Sequence, residues 1–251
     1  MSDILRQSPH IVAHLDFLGA RNKMRSQEDR ELFLQQIYDV FTSTDSQLAR
    51  MAHSMQKSMY NRIFSDNILV AQAVEQDMGF NLCLFRVINF CTLFQFLALT
   101  KGLFVRGAIV YGDLVCNDIF VFGEALVNAY EAETSRAIYP RIIIDDIIMD
   151  HFSTRQMDHI AEDPFWNQLL RRDFDGQWYI SPFGKVRYPF ADMRELLQKA
   201  RHFIVNEYQK GKFLQKYYWL VNVFNCFCND HVGYEDLKIL LSEIENYTVE
   251  K

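Results

Sequence analysis

The sequence predicts an α+β fold, a ferredoxin-like palm of βαββαβ order carrying a mainly helical C-terminal extension. Three observations lead there. Apolar residues make up 49% of the 251 and charged residues 23%, an ordinary globular balance that excludes disorder and collagen-like structure. Ten Gly and five Pro are few for an all-β chain built from many tight turns. The apolar runs alternate between short β-rich stretches and long helical ones.

The first element is His10–Phe17, a short strand buried on both faces. Leu18-Gly19-Ala20 turns the chain. Glu28–Ser58 has apolar residues near helical spacing and reads as one or two helices, with a break expected at Thr42–Asp45. Asn61–Phe64 and Asn67–Ala71 flank Ser65-Asp66, the pattern of a tight hairpin. Phe80–Leu99 reads as a buried helix, too polar for a membrane span because of Asn81, Arg86, Asn89 and Gln95. Leu103–Cys116 is a strand with Gly107 and Gly112 inside it, which suggests close backbone approach or a bulge. Gly123–Ile138 is helical, with an expected inner face of Val127, Tyr130 and Ala137. Pro140–Asp145 is a further buried strand. The division expected is a palm over residues 1–150 and an extension over 151–251. The extension contains a hairpin at Asp173–Ile180 and helices from Asp192 to Ile244. Its aromatic stretch at Tyr217, Tyr218, Trp219 and Phe224 suits a core or a dimer interface.

Net charge is −6 and no Lys/Arg run occurs, which argues against a nucleic-acid surface. The five cysteines, Cys83, Cys91, Cys116, Cys226 and Cys228, lack a disulfide-like or zinc-like spacing and read as buried thiols in a reducing compartment. The N-terminus has no apolar segment of signal-peptide type, so the expectation is a soluble, cytoplasmic protein without membrane attachment.

Chemistry concentrates at two aspartates. Asp16 closes an otherwise apolar strand, where a carboxylate is costly without a cation or donors. Asp66 sits at the hairpin turn, and a palm places that hairpin beside the first strand. Two neighbouring carboxylates repel unless a divalent ion lies between them, and oxygen-only ligation favours Mg²⁺ or Mn²⁺. The competing reading makes Asp66 a turn cap and Asp16 a helix cap. Gly19, between strand and helix, lets backbone N–H groups approach phosphate oxygens, or serves only as a turn. Asn128, off the inner face of its helix, needs a partner or faces water.

Taken in order, LDFLG (15–19), FSDNI (64–68), RGAIVYGDL (106–114), FGEALVNAYEAE (122–133) and YPRIIID (139–145) resemble the class III nucleotidyl cyclases. Within these they are most similar to the bacterial pyrimidine cyclases of the Pycsar anti-phage system. The resemblance spans roughly residues 10–147. It implies that Asp16, Asp66 and the Phe17 carbonyl bind two Mn²⁺ or Mg²⁺ ions. Leu18, Gly19 and Ala20 would cradle phosphates, and Asn128 would position the ribose. It also implies a nucleoside triphosphate substrate, a homodimer with shared sites, and a separate effector protein that responds to the cyclic nucleotide. Where purine cyclases carry a transition-state Arg one turn after the Asn, this chain has Ala132, which leaves Arg136 as the expected substitute, with Arg106 and Arg141 behind it. Their purine-reading Lys and Asp fall on Arg62 and Phe120 here. Arg62 and nearby Tyr60 suit the carbonyl oxygens of uracil, so UTP is expected before CTP. Competing readings are a purine cyclase or cyclic-dinucleotide synthase on the same palm, a degenerate nucleotide-binding signalling domain, and an interaction domain with a structural acidic pair.

Overall fold

The computed structural model describes residues 6–51, 59–75, 79–151, 166–184 and 192–244. In chain order it contains β1 (Ser8–Phe17), α1 (Ala20–Lys23), α2 (Gln27–Met51), β2 (Met59–Phe64), β3 (Asn67–Ala73) and α3 (Phe80–Leu99). There follow β4 (Val105–Cys116), β5 (Val121–Phe122), α4 (Glu124–Arg136), β6 (Ile142–Ile144) and α5 (Asp146–Asp150). The remainder is α6 (Trp166–Leu169), β7 (Leu170–Arg172), β8 (Trp178–Ile180), α7 (Met193–Gln209), α8 (Leu214–Asp230), a 3₁₀ turn (Glu235–Leu237) and α9 (Leu241–Ile244). The class is α+β.

One sheet has the order β2-β3-β1-β4-β6-β8-β7, with β5 paired to the end of β4. β1 is central and antiparallel to both β3 and β4; β2 is antiparallel to β3, and β4 is parallel to β6. Successive side chains of a strand point to opposite faces. Ile11, Ala13, Leu15 and Phe17 accordingly enter the main core with Phe33 and Val40 of α2 and Leu84, Phe90 and Phe94 of α3. Val12 faces the other way, into a smaller core with Ala125, Ala129 and Ala132 of α4. Asp16 continues that even-numbered series. A third core joins α7 and α8 to Phe96, Phe104 and Tyr179.

Several expectations are corrected. α2 runs unbroken through Thr42–Asp45; the Thr42 and Thr44 hydroxyls donate to the Tyr38 and Val40 carbonyls one turn back (2.9 and 2.8 Å) and so do not compete for the backbone N–H groups that a break would expose. The end of the segment, 52–58, lies outside the described residues. α4 buries its alanines, while Val127 and Tyr130 are 54% and 56% exposed. The cause is a close approach of helix to sheet: a Cβ on Gly112 would stand 3.4 Å from that of Ala125, so only small side chains fit between. The strand expected at Pro140–Asp145 shrinks to Ile142–Ile144, and Asp145 instead caps α5 by accepting from the Ile147 N–H at 3.0 Å. The hairpin at 170–180 pairs through β8 with β6, so the sheet continues past residue 150. By length and composition α3 could cross a membrane (mean hydropathy 1.9), contrary to the reading of its polar residues, yet 89% of that window is buried inside the protein. Cys226 is exposed and Cys228 buried, so the C-x-C pair diverges; none of the five cysteines forms a disulfide.

Gly107 is fixed by contact. A Cβ there would lie 2.5 Å from the His14 carbonyl and 2.6 Å from the Leu15 side chain. Gly107→Ala is expected to cost about 1–3 kcal/mol by overpacking the centre of the sheet. Thermal denaturation checks this, and an unchanged Tm refutes it.

Candidate functional site

β1 hands the chain to α1 through two residues. The Leu18 N–H donates to the Phe104 carbonyl (2.8 Å), and Gly19 adopts a left-handed conformation (φ 77°) that favours glycine. Across the sheet, Asp16 registers opposite Asn67 and opposite Arg106. The turn from β2 to β3 is Ser65-Asp66, and the Phe17 N–H donates to the Asp66 carbonyl at 3.2 Å. Backbone pairing therefore sets the two aspartates side by side at one end of the sheet. Asp16, Phe17, Leu18, Gly19, Ala20 and Asp66 all line a single cleft of about 810 Å³.

The Asp66 carboxylate accepts from the Ser65 hydroxyl (3.0 Å) and the Asn67 amide (3.2 Å). Arg106 Nε lies 3.1 Å from Asp16 and 2.7 Å from Glu133 of α4. Burial raises the Asp16 carboxyl above the ordinary range; the Arg106 guanidinium opposes this and the Asp66 charge reinforces it. Glu133 is also raised, again chiefly by burial. His14, whose Nδ1 is 3.9 Å from Glu133, is pushed down to about 4 by burial and then by Arg106, so its ring is neutral at pH 7. Arg106, Glu133 and His14 were not selected as a group from the sequence. Their signal was the period-2 alternation that places Asp16 and His14 on the α4 side of β1.

The other expected residues lie elsewhere in the subunit. Asn128 is exposed on α4 and does not line the cleft. Arg136 pairs with Asp145. Arg62 stacks over the Tyr60 ring (4.6 Å to the centroid) and meets Asp118 at 3.4 Å, two residues before Phe120. That group is also outside the cleft. It includes an acceptor, Asp118, that sequence reading did not place.

The donor set fits a hard divalent cation: two carboxylates and a backbone carbonyl, all oxygen. Mg²⁺ is commonly held by one or two carboxylates plus substrate phosphates, with no full protein cage. No cluster of three or more His, Cys, Asp or Glu side chains suited to a metal occurs among the described residues. The cleft is cationic, with seven Lys and Arg against four Asp and Glu, in a chain of net charge −6. A phosphorylated ligand suits such a field. A second cavity, about 670 Å³, lies between the β7–β8 hairpin and α8. Its walls are largely aromatic, and most of its charges already have partners: Arg171 pairs with Asp230, Asp173 with Arg141, and Arg172 donates to the Gly176 carbonyl at 3.3 Å and lies over the Trp178 ring. It does not suit a polyphosphate.

No protein-family model and no curated protein matches this sequence. Among solved structures, the chain is similar to the adenylyl cyclase CyaB from P. aeruginosa. The identity is 11%, the match covers 70% of this chain and 94% of that one, and the TM-score is 0.44. A likeness at this level carries no conclusion about chemistry, which rests on the cleft.

Proposed function

We propose that the chain is a metal-dependent nucleotidyl cyclase that converts a pyrimidine nucleoside triphosphate, UTP before CTP, to the 3′,5′-cyclic monophosphate. The observation that carries this reading is the pairing of Asp16 and Asp66 at the rim of a cationic cleft, next to the Gly19 turn. Two Mg²⁺ or Mn²⁺ ions held by Asp16, Asp66 and the Phe17 carbonyl would supply Lewis-acid polarisation of substrate oxygens. The protein's own part is to fix the triphosphate and orient the ribose. The substrate's 3′-oxygen bonds to the α-phosphorus, the bond from that phosphorus to the bridging oxygen breaks, pyrophosphate leaves, and the hydroxyl proton passes to water.

The active form in this reading is a homodimer. Asn128 lies outside its own subunit's cleft, next to the exposed Val127, where a second subunit can cover both, while Tyr130 of the same helix lines the cleft. Arg62 and Tyr60 would read the base from the same kind of shared surface. The role in phage defence and the separate effector rest on the sequence resemblance alone. A degenerate nucleotide-binding domain is favoured by one observation, the occupation of Asp16 by Arg106.

The test is purified protein with Mn²⁺ and each of the four triphosphates, scored for cyclic product and pyrophosphate. Cyclic UMP or cyclic CMP as the main product supports the proposal. Preferential cyclisation of ATP or GTP refutes the base assignment. Binding without turnover of any triphosphate selects the degenerate reading. Mixing Asp16→Ala with Asn128→Ala is expected to restore part of the lost activity, because one composite site regains all its parts. A fully active monomer by sedimentation refutes shared sites.

A further inference from the structure

The wall of the cleft opposite the carboxylates belongs to the turn between α7 and α8. Lys210 and Lys212 from this turn and Lys216 from the start of α8 all line the cleft. The chain reverses through two left-handed residues, Gly211 (φ 70°) and Phe213 (φ 57°). For a bulky residue such as Phe213 that conformation is strained, and its ring is 69% exposed, so no core burial offsets the strain. α8 then starts at Leu214 with no side-chain cap on its first N–H groups.

The cations of the cleft differ in what already holds them. Arg106 is shared between Asp16 and Glu133. Lys23 donates to the Gly102 carbonyl at 3.0 Å, and Lys210 pairs with Glu207. Lys212 and Lys216, like Arg21 and Arg25 on the α1 side, have no carboxylate partner among the described residues; Lys216 lies over the Phe213 ring, 5.6 Å from its centroid. Position separates them further. Lys216 is close enough to feel the charges of both Asp16 and Arg106. Lys210 and Glu207 are instead felt by Lys23, at the far end of α1. Lys216 therefore stands at the carboxylate end of the wall and Lys210 at the α1 end, with Lys212 lining the cleft in the loop between them.

We propose that the α7–α8 turn is the phosphate clamp of the site, supplied by the subunit that holds the aspartates. Lys216 meets the phosphoryl group that reacts, and Lys210 and Lys212 hold the pyrophosphate that leaves. The reaction step rests on the cyclase reading; the binding step rests on the cleft alone. As the bond from the 3′-oxygen to the α-phosphorus forms and the bond to the bridging oxygen breaks, negative charge moves onto the departing pyrophosphate. Fixed ammonium groups there stabilise that charge where it develops.

Two readouts test the clamp. Calorimetric titration with inorganic tripolyphosphate, without added metal, reads binding; cyclic product formed with Mn²⁺ reads turnover. Lys216→Ala and the double change Lys210→Ala with Lys212→Ala are each expected to weaken tripolyphosphate binding about tenfold, the loss of a charge-assisted contact. Turnover should fall on the order of 10²-fold in each. Lys216→Arg should restore most of the binding, since it returns the charge. Lys199→Ala removes a charge from the exposed side of α7, where it pairs with Glu195, and should match wild type in both assays. Circular dichroism and Tm establish that each variant folds, with Lys216→Met as a second truncation that keeps the alkyl stem. If Lys216→Ala binds tripolyphosphate and turns over like wild type, the clamp is overturned. If wild type binds tripolyphosphate through these lysines yet cyclises no triphosphate, the clamp stands and the cyclase reading falls.

Discussion

Asp66→Ala is expected to lower cyclic-product formation by about 10³-fold or more while leaving the fold intact. Losing one oxygen ligand from a two-carboxylate site removes several kcal/mol of transition-state stabilisation, and each factor of ten in rate corresponds to about 1.4 kcal/mol. The structural effect is small by comparison. Asp66 lies on a partly exposed turn, and among the described residues its carboxylate accepts only from its neighbours Ser65 and Asn67. Asp16→Ala should lose activity to the same degree. It leaves Arg106 still paired with Glu133 at 2.7 Å, so no guanidinium is stranded. The measurement is initial rate at saturating triphosphate with Mn²⁺, beside circular dichroism and Tm. Near wild-type rates in both variants would sink the assignment of the aspartates.

The largest effect on stability is expected at Arg141. This side chain is fully buried and binds Asp173 and Asp175 in the turn between β7 and β8; its Nη1 is also 3.1 Å from the second Asp175 oxygen. Asp173 in turn accepts from Trp219 Nε1 of α8 at 2.7 Å. Removing the cation leaves a nearly buried carboxylate uncompensated, a loss of about 3–5 kcal/mol. Arg141→Met should show this in urea or thermal unfolding. Arg141→Lys should fall between, because one ammonium cannot fork to two carboxylates. A Tm for Arg141→Met equal to wild type would refute the role. The pair also has a pH signature. Burial pushes the Asp175 carboxyl up, but hydrogen bonds from Arg141 and the Gln177 N–H outweigh it, and the net value lies below the ordinary one. A depressed carboxyl stabilises the fold above its unfolded pKa of about 4 and ceases to do so as pH falls through the folded value. Wild type should therefore lose more of its advantage over Arg141→Met below about pH 4 than above it.

What was legible in the sequence had short range. Phe80–Leu99 is legible to the residue because fifteen of its twenty positions are apolar and no Gly or Pro interrupts it. The Ser65-Asp66 turn and the Gly19 junction were marked by turn residues between apolar runs. α4 was misread because hydrophobic weight points to Val127 and Tyr130, whereas the sheet approaches so closely that it selects the alanines. The lysines of the cleft were not legible. Lys210 and Lys216 lie some 200 residues from Asp16 in the chain, and only the docking of α7 and α8 beside Phe104 brings them opposite it. Arg141 looked like a spare cation for catalysis. Its actual partners come from a hairpin about thirty residues later, a pairing no local pattern announces.

The alternation along β1 has a consequence for how this site tolerates change. Leu15 and Asp16 are adjacent in the chain, but one enters the dry core and the other the cleft. Removing His14, with the downstream pairing kept, turns the preceding side chains over: Ile11 and Ala13 would leave the main core and His10 and Val12 would enter it. If the upstream pairing is kept instead, Asp16 itself is driven among Phe17's neighbours. An insertion or deletion along this stretch that no bulge absorbs is therefore expected to cost more than a single substitution. Length, more than residue identity, is what this strand must preserve.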